Sequence, residues 1–352
     1  MKIFEKAVFS FDENLPFVLY RKPNLETVSG FFMKDDSICF ANCFSESGFV
    51  FAPFDNQQKA VLFPEEKAEF IFEKLSVSDS KKRTKKFISN EKSKDFHIKL
   101  VEKTIDEIKK TDLRKIGVSR KEIVDIEGFN VVEVYQKLLQ NYQNAFAYAW
   151  FHPKVGLWLG ATPETLLDVC NSSFKTMSLA GTQVFKDSRN VVWKSKELDE
   201  QQLVTDFIEN QLNSISANLK IDNTETIKAG NLLHLRTKIT GTLNDKSTLK
   251  TLIRALHPTP AVCGLPRNES KEFILKNEDY NRSFYTGFLG EINLKTSLKN
   301  EIKSSLFVNL RCMEIDNKTA SIFIGGGITK ESNPEKEWKE TVSKSKVMKR
   351  VL

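Results

Sequence analysis

The sequence predicts a mixed fold of helices and strands that forms a single domain over residues 1–352. Short runs rich in aromatic and β-branched residues recur along the chain, and such runs are typical of strands. Between them lie longer segments in which apolar residues repeat every three or four positions, as in amphipathic helices. No internal repeat, low-complexity tract or linker divides the chain, so we expect one core.

The composition is typical of a globular protein, and its charge would suit a small anionic ligand. Hydrophobic residues make up 40% of the chain and charged residues 28%, and the net charge is +7. A mildly basic balance suits an anionic substrate. The basic runs between Lys81 and Lys86 contain no interleaved aromatic residues, which disfavours nucleic-acid binding.

Neither export nor membrane insertion is indicated. The N-terminus lacks the apolar core of a signal peptide, and no apolar run is long enough for a membrane span. The five cysteines are scattered without CxxC pairs. This pattern favours buried thiols in a reducing cytoplasm over a disulfide framework or a zinc site.

The first 95 residues are predicted to be rich in strands, at residues 17–21, 37–41 and 47–53. Residues 76–94 are polar and lack a period, so we expect an exposed loop or insertion. A helix is expected from Phe96, followed by a strand at 113–120. On spacing alone, Lys115 in that strand would be solvent-exposed.

The middle of the chain continues with a helix and further strands, and then with polar residues at strand ends. The elements are predicted at 131–142 (helix), 145–151, 155–160 and 174–179 (strands), and 194–219 (helix). Glu164 follows a proline and is expected either beside a cleft or as a helix cap. Gly181 lies at a strand end, where backbone N–H groups can receive a carboxylate. Glu197 and Glu200 are three apart on the long helix and share one face.

Towards the C-terminus the pattern gives strands at 231–242, 283–294 and 306–315, and a short helix ending at Leu256. The last of these strands presents Arg311, for which we expect an anionic partner. Three glycines, Gly325 to Gly327, follow an apolar run and suggest a turn before a helix that starts near Pro334. Glu337 and Glu340 share a face of that helix and, with Glu197 and Glu200, could form an acidic Mg²⁺ site.

The ordered set of motifs resembles the chorismate-binding enzymes, and among them the isochorismate synthases. The matching runs are KIGVSR, GATPETLL, SLAGT, HLRTKITGTL, LHPTPAVCG, NRSFYTGFLG, NLRC and GGGITKESNPEKEWKETVSK. They span Lys115 to Lys344, within a catalytic part that covers 96–352, whereas residues 1–95 are more divergent. The resemblance implies an α+β fold of two large stacked antiparallel sheets with helices outside and a site in the cleft between them.

The resemblance also implies roles for individual residues. Lys115 corresponds to the base that activates water, and Glu164 to the acid that protonates the departing hydroxyl. The implied Mg²⁺ ligands are Glu200 and Glu340, with Glu197 and Glu337 as partly water-mediated helpers. The implied substrate contacts are Gly181, Thr182 and Lys344 for the ring carboxylate, Arg311 and Tyr285 with the backbone of Gly325 to Gly327 for the enolpyruvyl carboxylate, and His234 in a role less defined.

Within this family the resemblance favours isochorismate formation from chorismate. Ammonia-using members, the anthranilate and aminodeoxychorismate synthases, usually have glutamine at the position of Lys115. Salicylate synthases share the lysine and stay open as an alternative, although the loop after Leu256 is more similar to the isochorismate synthase version. Two departures stand out: Gln201, where the family commonly has histidine, and Ser283, where many members have glutamate. We expect a monomer without a glutaminase subunit; a non-catalytic binding relative is disfavoured.

Overall fold

The computed structural model of the chain describes residues 1–75, 91–185, 191–229, 232–296 and 300–352. The α-helices in these ranges are α1 (Ile3–Asp12), α2 (Glu91–Lys110), α3 (Val131–Asn141), α4 (Ser195–Leu212), α5 (Leu249–Leu256), α6 (Arg267–Asn277) and α7 (Pro334–Lys349). The strands are β1 (Phe17–Arg21), β2 (Thr27–Met33), β3 (Cys39–Ala41), β4 (Gly48–Ala52), β5 (Ala60–Pro64), β6 (Ala68–Lys74), β7 (Lys115–Asp125), β8 (Phe146–His152), β9 (Gly156–Thr162), β10 (Thr165–Cys170), β11 (Ser173–Val184), β12 (Ser216–Ile221), β13 (Glu225–Ala229), β14 (Leu232–Leu243), β15 (Gly264–Leu265), β16 (Phe288–Lys295), β17 (Ile302–Val308), β18 (Cys312–Asp316) and β19 (Thr319–Ile328).

These strands form two large antiparallel sheets. In the described residues one sheet has nine strands, in the order β15-β7-β19-β18-β9-β8-β1-β2-β6. The other has ten: β12-β14-β11-β10-β17-β16-β4-β5-β3, with β13 also paired to β14. Strands of the first 75 residues join later strands in both sheets, β1 beside β8 and β4 beside β16. The predicted α+β class with two antiparallel sheets is confirmed.

Aromatic side chains fill the space between the sheets. Phe146 of β8 stacks on Phe307 of β17 with ring centroids 4.1 Å apart. Trp150 of β8 contacts Phe51 of β4 at 5.1 Å and Phe63 of β5 at 5.2 Å. Such ring pairs add about 0.5–1.5 kcal/mol each beyond the apolar area they bury. This layer accounts for part of the chain's 27 phenylalanines.

The helices cover the outer faces of the two sheets. Buried side chains of α1 and α3 pack on the nine-stranded sheet, and those of α4 and α5 pack on the ten-stranded sheet. None of the helices in the described ranges combines the length and the apolar composition that a membrane-crossing segment needs.

Two of the places where the chain crosses from one sheet to the other are held together by hydrogen bonds. Pro163 and Glu164 link β9 of the nine-stranded sheet to β10 of the ten-stranded sheet, and residues 309–311 link β17 back to β18. The Arg311 carbonyl accepts from the Ala161 N–H at 3.0 Å, and the Glu164 carbonyl accepts from the Val308 N–H at 3.0 Å. These bonds fix Glu164 and Arg311 at the junction of the sheets.

Several predicted boundaries were wrong. Helix α1 lies where only strands were expected, and residues 91–94 belong to α2, whereas 76–90 lie outside the described residues. The helix predicted at 194–219 ends at Leu212, because Asn213 and Ser214 are poor helix formers, and its last apolar residues continue as β12. The strand predicted at 283–294 begins at Phe288. The strand predicted at 306–315 is two strands in different sheets, separated at Arg311, whose φ is 48°.

Candidate active site

A cavity of about 160 Å³ lies where the two sheets meet helices α4 and α7. The predicted site residues that line it are Lys115, Glu164, Gly181, Glu197, Glu200, His234, Tyr285, Arg311, Gly325, Gly327, Glu337, Glu340 and Lys344. Thr182 lies opposite His234 in the ladder of β11 and β14, but its side chain is outside the described part of the structure. The fold therefore gathers residues spread over more than two hundred positions of the sequence.

Lys115 is buried at the start of β7, with only 1% of its side chain exposed. Its Nζ donates to Glu200 Oε1 of α4 at 2.7 Å. The expectation from spacing alone, an exposed strand lysine, was wrong because β15 and β19 pair on either side of β7 and α4 supplies an anionic partner. A buried amine at the wall of a polar cavity is a candidate base.

The three glycines lie inside β19 rather than in the turn suggested by the sequence, paired with residues 117–119 of β7. A Cβ on Gly327 would lie 2.4 Å from Lys115 Cε, and one on Gly325 would lie 2.8 Å from the Tyr285 hydroxyl. A Cβ on Gly326 would lie 3.5 Å from Glu337 Oε2. The missing side chains therefore leave room for cavity residues to approach the strand.

Glu164 is a buried carboxyl at the crossing between the sheets. Burial raises its pKa to about 7, although the nearby charges of Lys115 and Arg311 act in the opposite direction. Desolvation penalises the charged form of a carboxyl, so this group holds a proton part of the time at neutral pH. A carboxyl with such a pKa suits general acid catalysis.

Two cationic side chains, Lys344 and Arg311, and the neutral His234 also line the cavity. Lys344 Nζ of α7 donates to the Gly325 carbonyl at 3.0 Å and pairs with Glu340 Oε1 at 2.6 Å. His234 Nδ1 lies 3.3 Å from the Gly181 carbonyl oxygen. Burial, with the charges of Arg311 and Lys344, lowers the pKa of His234 to about 4, so its imidazole is neutral at pH 7. Burial lowers the pKa of Arg311, yet a guanidinium stays charged in proteins.

Four glutamates reach the cavity from two helices, Glu197 and Glu200 from α4 and Glu337 and Glu340 from α7. Carboxylate oxygens are the ligands that Mg²⁺ prefers. Among the described residues no three histidine, cysteine, aspartate or glutamate side chains converge closely enough to hold a cation. Glu200 and Glu340 each pair with a lysine instead.

Sequence reasoning missed Arg282, which lines the same cavity and holds its walls together. Its guanidinium pairs with Glu278 at 2.6 Å and donates to the Gly117 carbonyl at 2.6 Å and the Val262 carbonyl at 3.0 Å. Burial acts to lower the pKa of Arg282, but the Glu278 carboxylate outweighs it and raises that pKa. Glu278 and Arg282 are four residues apart, and this spacing was the available signal for an ion pair. It was missed because their segment has no helical periodicity, and four-residue spacing predicts contact only in a helix.

Known proteins resemble this chain in sequence and in fold. The sequence profile of the chorismate binding enzymes matches residues 39–352. The isochorismate synthase DhbC of Bacillus subtilis is 29% identical over 72% of this chain and 66% of its own length. The isochorismate synthase MenF of Haemophilus influenzae is 26% identical over 70% of this chain and 57% of its own length.

Both alignments thus span less than two thirds of these relatives. Among solved structures, DhbC of Bacillus anthracis, assigned as a 2,3-dihydroxybenzoate-specific isochorismate synthase, superposes with a TM-score of 0.81 at 23% identity. That superposition covers 98% of this chain and 99% of the other and shows a shared fold. The profile match extends over most of the sequence and contains every residue assigned to the cavity, and on it the chain belongs to the chorismate-binding enzyme family.

Proposed function

We propose that this protein is an isochorismate synthase, which isomerises chorismate by adding water at C2 and removing the C4 hydroxyl. The observation that carries the proposal is the pair Lys115 and Glu164, a buried amine and a buried carboxyl with a raised pKa on one cavity. The reaction needs a base at the water and an acid at the hydroxyl, because unassisted hydroxide is a poor leaving group. The functions of the similar proteins support the same reaction.

Lys115 takes a proton from the attacking water, and Glu164 gives its proton to the departing oxygen. Glu164 suits the acid role because burial keeps part of its population protonated at neutral pH. Each positioned proton transfer contributes on the order of 10²–10⁴ in rate.

The two carboxylates of chorismate match the cations of the cavity. Arg311 and Tyr285, with the backbone of Gly325 to Gly327, hold the enolpyruvyl carboxylate. Lys344, Gly181 and Thr182 hold the ring carboxylate. Charge-assisted hydrogen bonds of this kind are stronger than neutral ones and fix orientation. Neutral His234 forms part of the wall beside Gly181.

Glu200 and Glu340 would hold Mg²⁺, with Glu197 and Glu337 assisting through water. The chemistry of the donor set fits, because all four side chains are carboxylates that line one cavity, although they would have to draw closer together around an ion. When bound, the ion would neutralise negative charge gathered around the ring carboxylate. A bound cation would compete with Lys115 for the Glu200 carboxylate and with Lys344 for the Glu340 carboxylate.

The test is incubation of the whole chain with chorismate and MgCl₂, followed by chromatographic separation of the products. Isochorismate in reversible balance with chorismate is expected. Coupling to lactate dehydrogenase and NADH detects pyruvate: its release in step with chorismate loss would identify a salicylate synthase instead. Anthranilate formed with added ammonia would also overturn the proposal.

We also infer the organisation and the surroundings of the enzyme. The chain acts as one domain and as a monomer, on a small-molecule substrate and without a glutaminase partner. A cytoplasmic location is supported by the five cysteines, all of which are free thiols.

A further inference from the structure

Gln201 lies next to Glu200 on α4 and has no place in the chemistry above. Its side chain is buried, and both ends of its amide are engaged. Oε1 accepts from the Ala180 N–H at 2.8 Å. Nε2 donates to Ser178 Oγ at 2.8 Å, to Thr237 Oγ1 at 3.0 Å and to the Ser178 carbonyl at 3.2 Å. One side chain therefore ties α4 to both β11 and β14.

The contact with Ala180 lies beside an irregularity in β11. Pairing of β11 with β14 shifts between Ala180 and Thr182, and Gly181 between them has a φ of +66°. A Cβ on Gly181 would lie 3.2 Å from the Glu197 carbonyl oxygen and 3.3 Å from Glu197 Cβ. The first turns of α4 thus rest directly on the bulge that presents Gly181 to the cavity.

The other contacts of α4 with this sheet are mostly apolar. Val204, Ile208 and Leu212 are buried in the hydrophobic cluster of the ten-stranded sheet. Apolar contacts are non-directional and tolerate small rotations or shifts, whereas hydrogen bonds have narrow angular limits. Thr205 also bonds Ser178 Oγ at 2.7 Å, but one turn further from the cavity. The register of Glu200 against Gly181 therefore depends on Gln201.

We propose that Gln201 is a positioning residue that couples the carboxylate pair of α4 to the bulge at Gly181. Its consequence for activity rests on the proposed function, in which Glu200 binds Mg²⁺ and Gly181 contacts the substrate. Loss of the amide removes the directional bonds between the start of α4 and β11, so the cation and the ring carboxylate are no longer held at a fixed separation. The Mg²⁺ concentration needed for activity is therefore expected to rise in variants that still fold.

The experiment compares Gln201→Met with two control variants of the same helix in the full chain. Val204→Ala removes buried apolar volume from α4 without touching the bulge, and Gln202→Met changes an exposed glutamine. In Gln201→Met the MgCl₂ concentration for half-maximal turnover rises about tenfold. In both controls it stays at the wild-type value, although Val204→Ala lowers the melting temperature.

Amide hydrogen exchange of the substrate-free chain gives a readout that does not need activity. Peptides covering 176–184 exchange about tenfold faster in Gln201→Met and at the wild-type rate in Gln202→Met. Wild-type exchange in Gln201→Met, or a Mg²⁺ midpoint that follows the melting temperature in all three variants, overturns the proposal. If the wild-type chain does not turn over chorismate, the proposed function fails while the exchange result still decides the role of Gln201.

Should Gln201→Met not fold, Gln201→Asn takes its place. It keeps the amide but shortens its reach, so it cannot span Ala180 and Thr237 together. The same rise in the Mg²⁺ midpoint and in exchange is expected, and unchanged values contradict the proposal.

Discussion

Helices α4 and α7 each carry two glutamates to the cavity, but different interactions hold the two helices in place. The anchor of α4 is the uncharged amide of Gln201, bonded to β11 and β14. The anchor of α7 is ionic. Arg120 of β7 donates to Thr341 Oγ1 at 2.8 Å, lies 4.5 Å from the Trp338 ring, and pairs with Glu122 at 3.0 Å.

Glu122 also accepts from Lys349 in the last turn of α7, at 2.5 Å. The two carboxylate pairs thus have different anchors, Gln201 on the ten-stranded sheet for α4 and Arg120 on the nine-stranded sheet for α7, while Lys115 of β7 also pairs with Glu200 of α4. The amide of Gln201 carries no charge, so its bonds do not depend on pH. Removing one partner of a buried ion pair, by contrast, strongly lowers the free energy of unfolding because it leaves the other charge buried.

The largest expected effect comes from breaking the ionic anchor. Arg120→Met leaves the buried Glu122 carboxylate paired with Lys349 but without its second cation, and should lower the free energy of unfolding by about 3–5 kcal/mol. Urea denaturation measures the change. The exposed Arg350→Met, at the end of α7, should change it by less than about 0.5 kcal/mol. Equal losses in the two variants would contradict the assigned anchor.

Next in size is the loss of either carboxylate itself. Glu200→Gln and Glu340→Gln should each reduce Mg²⁺-dependent turnover on the order of 10²–10³-fold, because each removes a charged ligand. The two effects should be similar despite the different anchors. Glu335→Gln on α7, an exposed residue paired with Lys94, serves as the control and should be fully active. Full activity of either cavity variant at low Mg²⁺ would refute the ligand assignment.

The acid at the crossing offers a test through pH and stability. Because the folded-state pKa of Glu164, about 7, lies above the ordinary 4.5, the native protein binds this proton more tightly than the unfolded chain. That contribution is complete below pH 4.5 and is lost as the pH rises through 7. Glu164→Gln should therefore be more stable than wild type above pH 7, by up to about 3 kcal/mol, and equally stable near pH 4. Thermal melts across this range measure it; a pH-independent difference would contradict the raised pKa.

The smallest expected effect is at Gly327, between Lys115 and α4. A methyl group there would press on Lys115 Cε, which can shift because it is near the end of a flexible side chain. Gly327→Ala should lower kcat about tenfold by moving the base, with an unchanged melting profile. A variant with wild-type kcat would show that the glycine is not needed for space.

Local patterns predicted most elements but not where the chain changes sheets. Runs such as residues 17–21 and 145–151 carry enough strand character to be identified without their neighbours. Arg311 lies between two strands of different sheets, yet no glycine or proline marks the change. The β-type pattern of residues therefore continues across Arg311 as it would in a single strand. Helix α1 was not predicted, although its buried residues Ile3 and Ala7 have helical spacing.

The residues of the cavity were predictable because they occur in motifs, whereas the residues that hold those motifs together were not. Gln201 acts on a residue 21 positions away, Arg282 on one 165 away, and Arg120 on one 221 away. Such partners depend on tertiary contacts, and no spacing rule connects them. The sequence showed Gln201 only as a departure from the family pattern. The structure shows that its amide bonds α4 to β11 and β14.

The most direct measurement of the central claim is isotope transfer from solvent. Chorismate and MgCl₂ are incubated with the protein in H₂¹⁸O, and the products are analysed by mass spectrometry. If water adds at C2 while the C4 hydroxyl leaves, isochorismate carries one ¹⁸O atom from its first appearance. With Lys115→Ala the labelled product forms on the order of 10²–10⁴ times more slowly. Isochorismate without the label, or no isochorismate at all, would contradict the account.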